Sequence, residues 1–268
     1  MSKTTRLLFI SDLHCGALSG LTPQEYIIRY DKKIEKAQQS FWSWYTETVK
    51  TVNPDMTIVM GDCIEGQSKR SHGVGCVTSD LDVQTDMAIR ALKVIPNTDI
   101  RFIRGTDYHV LSNGSEAENV LARHFNAPVD DQCYLTLKGK ETGKLVFDLK
   151  HKVGGSSVPH GIFTPQAKET VWNTEWYIDG GAPLADVYIR GHVHRFSYCG
   201  TSRYLAINLP AMSLRAFNHY GSKCCSGLVD TGMVVFNINK DTATIESWYN
   251  LPYNDPTLSK GSQVEEEL

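Results

Sequence analysis

Three short apolar runs, Arg6–Ile10 (RLLFI), Met56–Met60 (MTIVM) and Asp99–Ile103 (DIRFI), most restrict what this chain can fold into. They read as strands, and the segments between them carry helical periodicity. Within Asp31–Val52, the residues Ile34, Gln38, Phe41, Tyr45, Thr48 and Val52 recur at helical spacing, and the Val-Asn-Pro-Asp run at 52–55 ends that helix. Residues 82–95 and 116–125 read as two further helices. Strands dominate after that: 133–139, 144–150, 185–190, 203–209, 232–238 and 243–249, interrupted by one helix around Pro165–Tyr177. The pattern implies an α/β domain, with either one mixed sheet or two packed sheets and helices outside. Residues 1–252 read as a single domain, and residues 253–268 as a polar, acidic tail.

Composition narrows the setting. The 268 residues are 41% hydrophobic and 21% charged, as in an ordinary globular protein with a sizeable core. A net charge of −3 gives no overall basic face, which disfavours non-specific DNA binding but leaves a local basic patch open. The first apolar run stops at Ser11 and Asp12, so it is not a signal peptide. No stretch approaches the ~20 apolar residues of a membrane span. Seven cysteines without repeated spacing argue against a disulfide framework and for a reducing, cytoplasmic setting. The adjacent Cys224 and Cys225 read as free thiols.

The polar residues at the strand ends carry the chemistry. Arg6–Ile10 runs into Asp12 and His14, Met56–Met60 into Asp62, and Asp99–Ile103 into Asp107 and His109. Residues 144–150 lead to His151, and 185–190 to His192 and His194. Open α/β sheets place their ligand crevice at strand carboxyl ends, so these groups can meet from distant parts of the chain. In extended chain, residues two apart point the same way. Asp12 with His14, and His192 with His194, are then expected to reach common points while Leu13 and Val193 turn to the core. Gly61, Gly105 and Gly191 permit sharp exits from their strands. Each element alone has an ordinary reading as a solvated or hydrogen-bonded side chain. Together they point to a metal site, because burying three His and two Asp without a cation is costly.

This constellation resembles the calcineurin-like metallophosphoesterase superfamily. The resemblance rests on Asp12-Leu13-His14, on Gly61-Asp62 followed by Glu65, on Gly105 onward, on His151, and on Gly191-His192-Val193-His194. It spans residues 8–196. The runs DLHCG, GDCIEG and RGTDYHV are also similar to a subgroup often encoded by phages and prophages. The resemblance implies a four-layer sandwich of two mixed β-sheets flanked by helices, with two divalent metal ions at one edge. Asp12, His14 and His194 would hold the first ion, His151 and His192 the second, and Asp62 would bridge them. Such ligands suit Mn, Fe or Zn, with Mn preferred. The implied activity is that of a phosphoesterase, chiefly a phosphodiesterase, in which a metal-bridging hydroxide attacks phosphorus and an acid protonates the leaving oxygen. A nucleic acid or nucleotide is a compatible substrate. Within this scheme Cys15 and Cys63 are expected to be small buried residues turned away from the ions.

The chain departs from the family at Gly105-Thr106-Asp107-Tyr108-His109, where the family has Gly-Asn-His. The family's Asn ligates the second metal and its His assists the leaving group. Thr106 aligns with the Asn by simple offset, but a neutral hydroxyl is a poor ligand. Asp107 is chemically better suited as a ligand and is otherwise a turn-capping residue. His109 is expected to be the leaving-group acid. Glu65 is a candidate to orient a ligand His from behind, and Arg104, Lys152 and Arg195 are candidates to clamp phosphate. The Gly- and Ser-rich loops at 72–80 and 153–161 are candidate substrate walls, bringing His72 and His160 near phosphate. Two other functions compete: a catalytically impaired metal-binding scaffold of the same fold, and metal-assisted hydrolysis of another bond such as an amide.

Overall fold

The computed structural model describes residues 4–67, 73, 75–96, 99–111, 114, 116–156, 158, 161–215 and 229–254. His72, His160, Cys224, Cys225 and the tail from residue 255 lie outside them.

The three apolar runs form β1 (Thr4–Ile10), β2 (Met56–Met60) and β3 (Asp99–Ile103). They pair in parallel, which requires crossover connections; α1 (Lys32–Val52) and α2 (Leu81–Lys93) provide them. Both helices start at an aspartate whose carboxylate accepts two backbone N–H bonds: Asp31 from Lys33 and Ile34, Asp80 from Asp82 and Val83. At its end α1 turns through Asn53, in the left-handed region at φ 43°. The third helix, α3 (Ala117–Phe125), leads to the two-residue β4 (Val129–Asp130), parallel to β3. The antiparallel strands β10 (Gly232–Asn239) and β11 (Ile245–Pro252) complete a six-stranded sheet of order β11-β10-β1-β2-β3-β4.

The second sheet has five strands: β5 (Gln132–Lys138), β6 (Lys144–Lys150), β7 (Val187–Arg190), β8 (Ser197–Gly200) and β9 (Leu205–Asn208). Its order is β5-β6-β7-β9-β8, with parallel pairing at its centre and antiparallel pairing at both edges. Both sheets are therefore mixed, and of the two architectures open from the sequence the packed pair is the one formed. Leu7, Phe9, Ile58 and Ile103 of the first sheet pack against Phe147, Leu149, Ile189 and Ile207 of the second. The rings of Phe9, Phe147 and Phe236 meet at centroid distances of 5.4–5.8 Å. The outer face of the first sheet is covered by α1, α2 and α3, while α4 (Thr164–Ile178) covers the second. Four layers result: helices, sheet, sheet, helix.

Two strands were not anticipated from the sequence pattern. With two residues β4 has no periodicity to read, and Ser197-Tyr-Cys-Gly in β8 lacks an apolar run. β8 exists because it hairpins onto β9.

Candidate metal centre

The parallel strands β1, β2, β3, β6 and β7 all present their carboxyl ends at one edge of the sandwich. The loops after β1 and β2 stay bonded past the strands, with Asp12 N–H donating to Gly61 O (3.1 Å) and His14 N–H to Asp62 O (3.0 Å). The loops after β6 and β7 are joined by Gly191 N–H donating to His151 O (2.9 Å).

Extended geometry does not aim the side chains, contrary to the expectation from i, i+2 spacing. Asp12 (φ 56°), His14 (φ 44°), Asp62 (φ 50°), His192 (φ 72°) and His194 (φ 53°) all adopt the left-handed region. Non-glycine residues adopt it at a cost, and such strain concentrates where function requires it. Leu13, between two of them, turns into the core as expected, whereas Val193 is only half-buried. The glycines serve close approach. A Cβ on Gly105 would lie 2.1 Å from Asp62 Oδ1, and one on Gly191 would lie 2.2 Å from Ser11 Oγ.

Three overlapping groups converge: Asp12, His14 and His194; His14, Asp62 and His109; and Asp62, His151 and His192. Asp62 belongs to two of them, one toward each end of the cluster. Asp12 and Asp62 are 0% and 1% exposed. His194 Nε2 lies 3.1 Å and His151 Nε2 3.8 Å from Asp12 Oδ1. His151 Nε2 lies 3.0 Å and His109 Nε2 3.9 Å from Asp62 Oδ2.

The far sides of three of the rings are held from behind. His14 Nδ1 donates to Glu65 Oε2 (3.1 Å), His151 Nδ1 to the Met60 carbonyl, and His109 Nδ1 to the Glu65 carbonyl (2.7 Å). These bonds assign the tautomers and turn each Nε2 toward the centre. Glu65 therefore orients one ring with its side chain and another with its backbone. His14 Nε2 and His194 Nε2 stand 3.0 Å apart, and the buried His192 Nδ1 has no hydrogen-bond partner among the described residues. Buried nitrogens in such a state cost free energy unless a cation or proton joins them. The donor set of imidazoles and carboxylates fits divalent transition metals.

Burial would raise the Asp12 carboxyl, but His194 and His151 override it and hold it far below the usual carboxylate range. Asp62 is likewise held low against burial by His151 and His109. Burial opposes protonation of His14, yet Glu65 and the two aspartates push its pKa up to about 9. Asp12 and Asp62 do the same for His151, also to about 9. His109 moves down, through burial and the nearby His14.

Asp107 is not brought into the cluster. It is exposed in the turn after β3 and belongs to none of the three groups. Thr106 meets Asp62 instead: its N–H donates to Oδ1 (2.6 Å), and its hydroxyl lies 3.2 and 3.3 Å from the two carboxylate oxygens. Arg104 turns away to Asn119 and Asp131. Lys152 is exposed and Arg195 half-buried. Cys15 and Cys63 are fully buried, with thiol pKa values pushed up by burial.

Two supporting residues carried no signal in the sequence. Ser11 Oγ donates to Asp12 Oδ2, and the buried Glu118 of α3 accepts the Cys63 N–H (3.0 Å), bracing the turn after Asp62. A serine beside a ligand and a glutamate on a helix are too common to stand out.

No family model matches the chain, and no curated protein matches it. Several solved structures are similar to it. An archaeal phosphodiesterase shares 16% identity over 93% of this chain and 100% of that one, with a TM-score of 0.44. Vps29 from Entamoeba histolytica, complexed with Zn²⁺, shares 10% identity over 93% and 100%, with a TM-score of 0.45. A predicted phosphoesterase from Streptococcus pneumoniae shares 11% over 94% and 99%, with a TM-score of 0.37. At such identities and TM-scores, what the chain does has to be read from its own side chains.

Proposed function

We propose that this chain is a metal-dependent phosphoesterase, chiefly a phosphodiesterase. The observation that carries the proposal is the convergence of buried aspartates and imidazole nitrogens into three groups linked in a row, the first to the second by His14 and the second to the third by Asp62. Asp12, His14 and His194 would hold one divalent cation, His151 and His192 a second, and Asp62 would contact both. Manganese is the favoured ion, with iron or zinc compatible with the same donors. Bound there, the cations would supply Lewis acidity toward a phosphoryl oxygen and a water made nucleophilic near neutral pH.

The chain's own residues do the rest. Thr106 holds the Asp62 carboxylate through its N–H and its hydroxyl. Glu65 holds His14 in the tautomer that offers Nε2. His109 presents Nε2 at the edge of the cluster, with its Nδ1 proton committed to the Glu65 carbonyl. It would hand a proton to the departing oxygen, and its lowered pKa would make the protonated ring a readier donor. A nucleic acid or nucleotide is the proposed substrate class, supported by the likeness of DLHCG, GDCIEG and RGTDYHV to phage-type sequences. A reducing, cytoplasmic setting is proposed with it; Cys15, Cys63, Cys133 and Cys199 are free thiols, and no helix among the described residues is long and apolar enough to cross a membrane.

The alternative is a metal-binding interaction protein with impaired chemistry, favoured by one observation: Thr106 stands where the resembling family has an amide ligand. Turnover of bis-p-nitrophenyl phosphate and p-nitrophenyl phosphate, with added Mn²⁺ and after chelation, separates the two. The phosphoesterase reading expects chelator-sensitive turnover that Mn²⁺ restores, chiefly of the diester. Stoichiometric metal binding without turnover of either substrate supports the alternative. His109→Ala is expected to lower turnover by about 10²-fold or more while metal content stays intact.

A further inference from the structure

The helix α4 is amphipathic in the wrong direction. At about 100° per residue, Gln166, Thr170 and Asn173 share one side of it and Lys168, Val171, Trp172, Glu175, Trp176 and Ile178 the other. The polar trio is the buried side. Gln166 donates to Ser197, and Asn173 donates to Pro183 O (3.0 Å). Asn173 Oδ1 accepts from Ala185 N (2.9 Å) and Tyr188 OH (2.8 Å). Glu169 pairs with Arg190 beneath. The solvent side is apolar, with Val171 60%, Trp172 62%, Trp176 58% and Ile178 70% exposed. A surface helix normally turns its apolar stripe to the core. Single exposed apolar residues are ordinary, but these four lie within about two turns of one helix. Together they offer on the order of 500 Å² of apolar surface, above the ~400 Å² that a monomeric surface is best kept below. That is also a large part of the ~800 Å² that one partner contributes to a standard interface.

The charges within the stripe specify its partner. Lys168 and Glu175 are both exposed, and neither has an ion-pair partner among the described residues. They lie three and a half residues to either side of the point between Val171 and Trp172. A two-fold axis through that point, perpendicular to the helix, sets two copies of α4 antiparallel. Lys168 of each copy then faces Glu175 of the other, while Val171 and Trp172 flank the axis on opposite sides, each meeting its own counterpart in the other copy. An isologous contact needs this self-complementarity, and a patch evolved for an unrelated partner does not. We propose that α4 is a self-association face, on which two copies of this chain pair through antiparallel helices centred between Val171 and Trp172. The proposal is independent of the chemistry at the metal centre.

Sedimentation velocity from about 1 to 100 µM tests it. The expected result is a concentration-dependent shift to a species of twice the chain mass. Trp172→Glu should weaken association by about 30-fold or more, as a buried aromatic anchor does. Lys168→Glu and Glu175→Lys should each weaken it by bringing like charges together, and the double reversal should restore it. Circular dichroism checks that each variant is folded, and the charge pair keeps the test decisive should Trp172→Glu fail to fold. A monomer at every concentration overturns the proposal, as does a dimer indifferent to Trp172→Glu. A double reversal no better than either single change overturns the antiparallel register.

Discussion

Two buried clusters of charge sit within a few residues of one another on β6 and β7, and they are built on opposite plans. In the first, Arg190 uses all five guanidinium donors: to Glu169 Oε2 (3.0 and 2.9 Å), Asp148 Oδ2 (2.8 Å), Asp148 O (2.8 Å) and Ile189 O (3.0 Å). Gln132 donates to the other Asp148 oxygen at 2.8 Å. Nothing remains to bind, and the cluster ties α4 to its sheet. In the second, beginning with His151 three residues beyond Asp148 and His192 two beyond Arg190, the donors face one another. Nε2 meets Nε2 between His14 and His194, and His192 Nδ1 meets nothing among the described residues. Burial alone does not mark a functional site; a buried cluster left incomplete by its own chain does.

The largest expected effect breaks the open cluster. Asp62→Ala removes the carboxylate shared by two groups, and turnover should fall by about 10³-fold or more, with loss of bound metal measured by plasma mass spectrometry. A fully active, metal-loaded Asp62→Ala would end the contrast. Breaking the closed cluster should do something different. Arg190→Met leaves the buried Asp148 and the half-buried Glu169 without their cation and should cost about 3–5 kcal/mol of stability in urea unfolding. The protein that remains folded should keep its metal stoichiometry. Equal loss of metal and stability would mean that the two clusters are one unit.

A smaller effect probes how the open cluster is oriented. Glu65→Gln weakens the hold on His14 and should lower metal affinity by about 10- to 100-fold in calorimetric titration, with the fold unchanged. The smallest concerns protons. In protein stripped of metal, His14 and His151 have pKa values near 9, above the ordinary 6.5. Their protonated forms add stability fully present below pH 6.5 and lost as pH rises through about 9. Metal requires the neutral rings, so loading at pH 7 should release about two protons and affinity should climb between pH 6.5 and 9. Titration in buffers of different ionisation enthalpy measures this, and a proton-neutral uptake would contradict the assigned charges.

Much of this was legible in the sequence, and what was not has physical reasons. Strand ends running into Asp12, Asp62, His151 and His192 located the cluster, because apolar runs are local and parallel strands share an edge. How those residues are aimed was not legible. Left-handed backbone at Asp12, His14, Asp62, His192 and His194 is imposed by neighbouring loops and leaves no mark in a non-glycine residue. Asp107 looked the better ligand on chemistry alone, yet the turn after β3 points it outward and gives Thr106 the contact with Asp62. Glu118 and Ser11 were invisible because their partners are distant in the chain or too ordinary to notice. The helix at 164–178 was found, but not which face it buries, since hydrogen bonds to Ser197, Pro183, Ala185 and Tyr188 decide that.

The most direct test of the central claim is anomalous scattering from a crystal grown with Mn²⁺, with data collected on both sides of the manganese edge. The account predicts two peaks, one among Asp12, His14 and His194 and one between His151 and His192, each within coordination distance of Asp62. No peak at the cluster, or manganese bound only elsewhere, would contradict it.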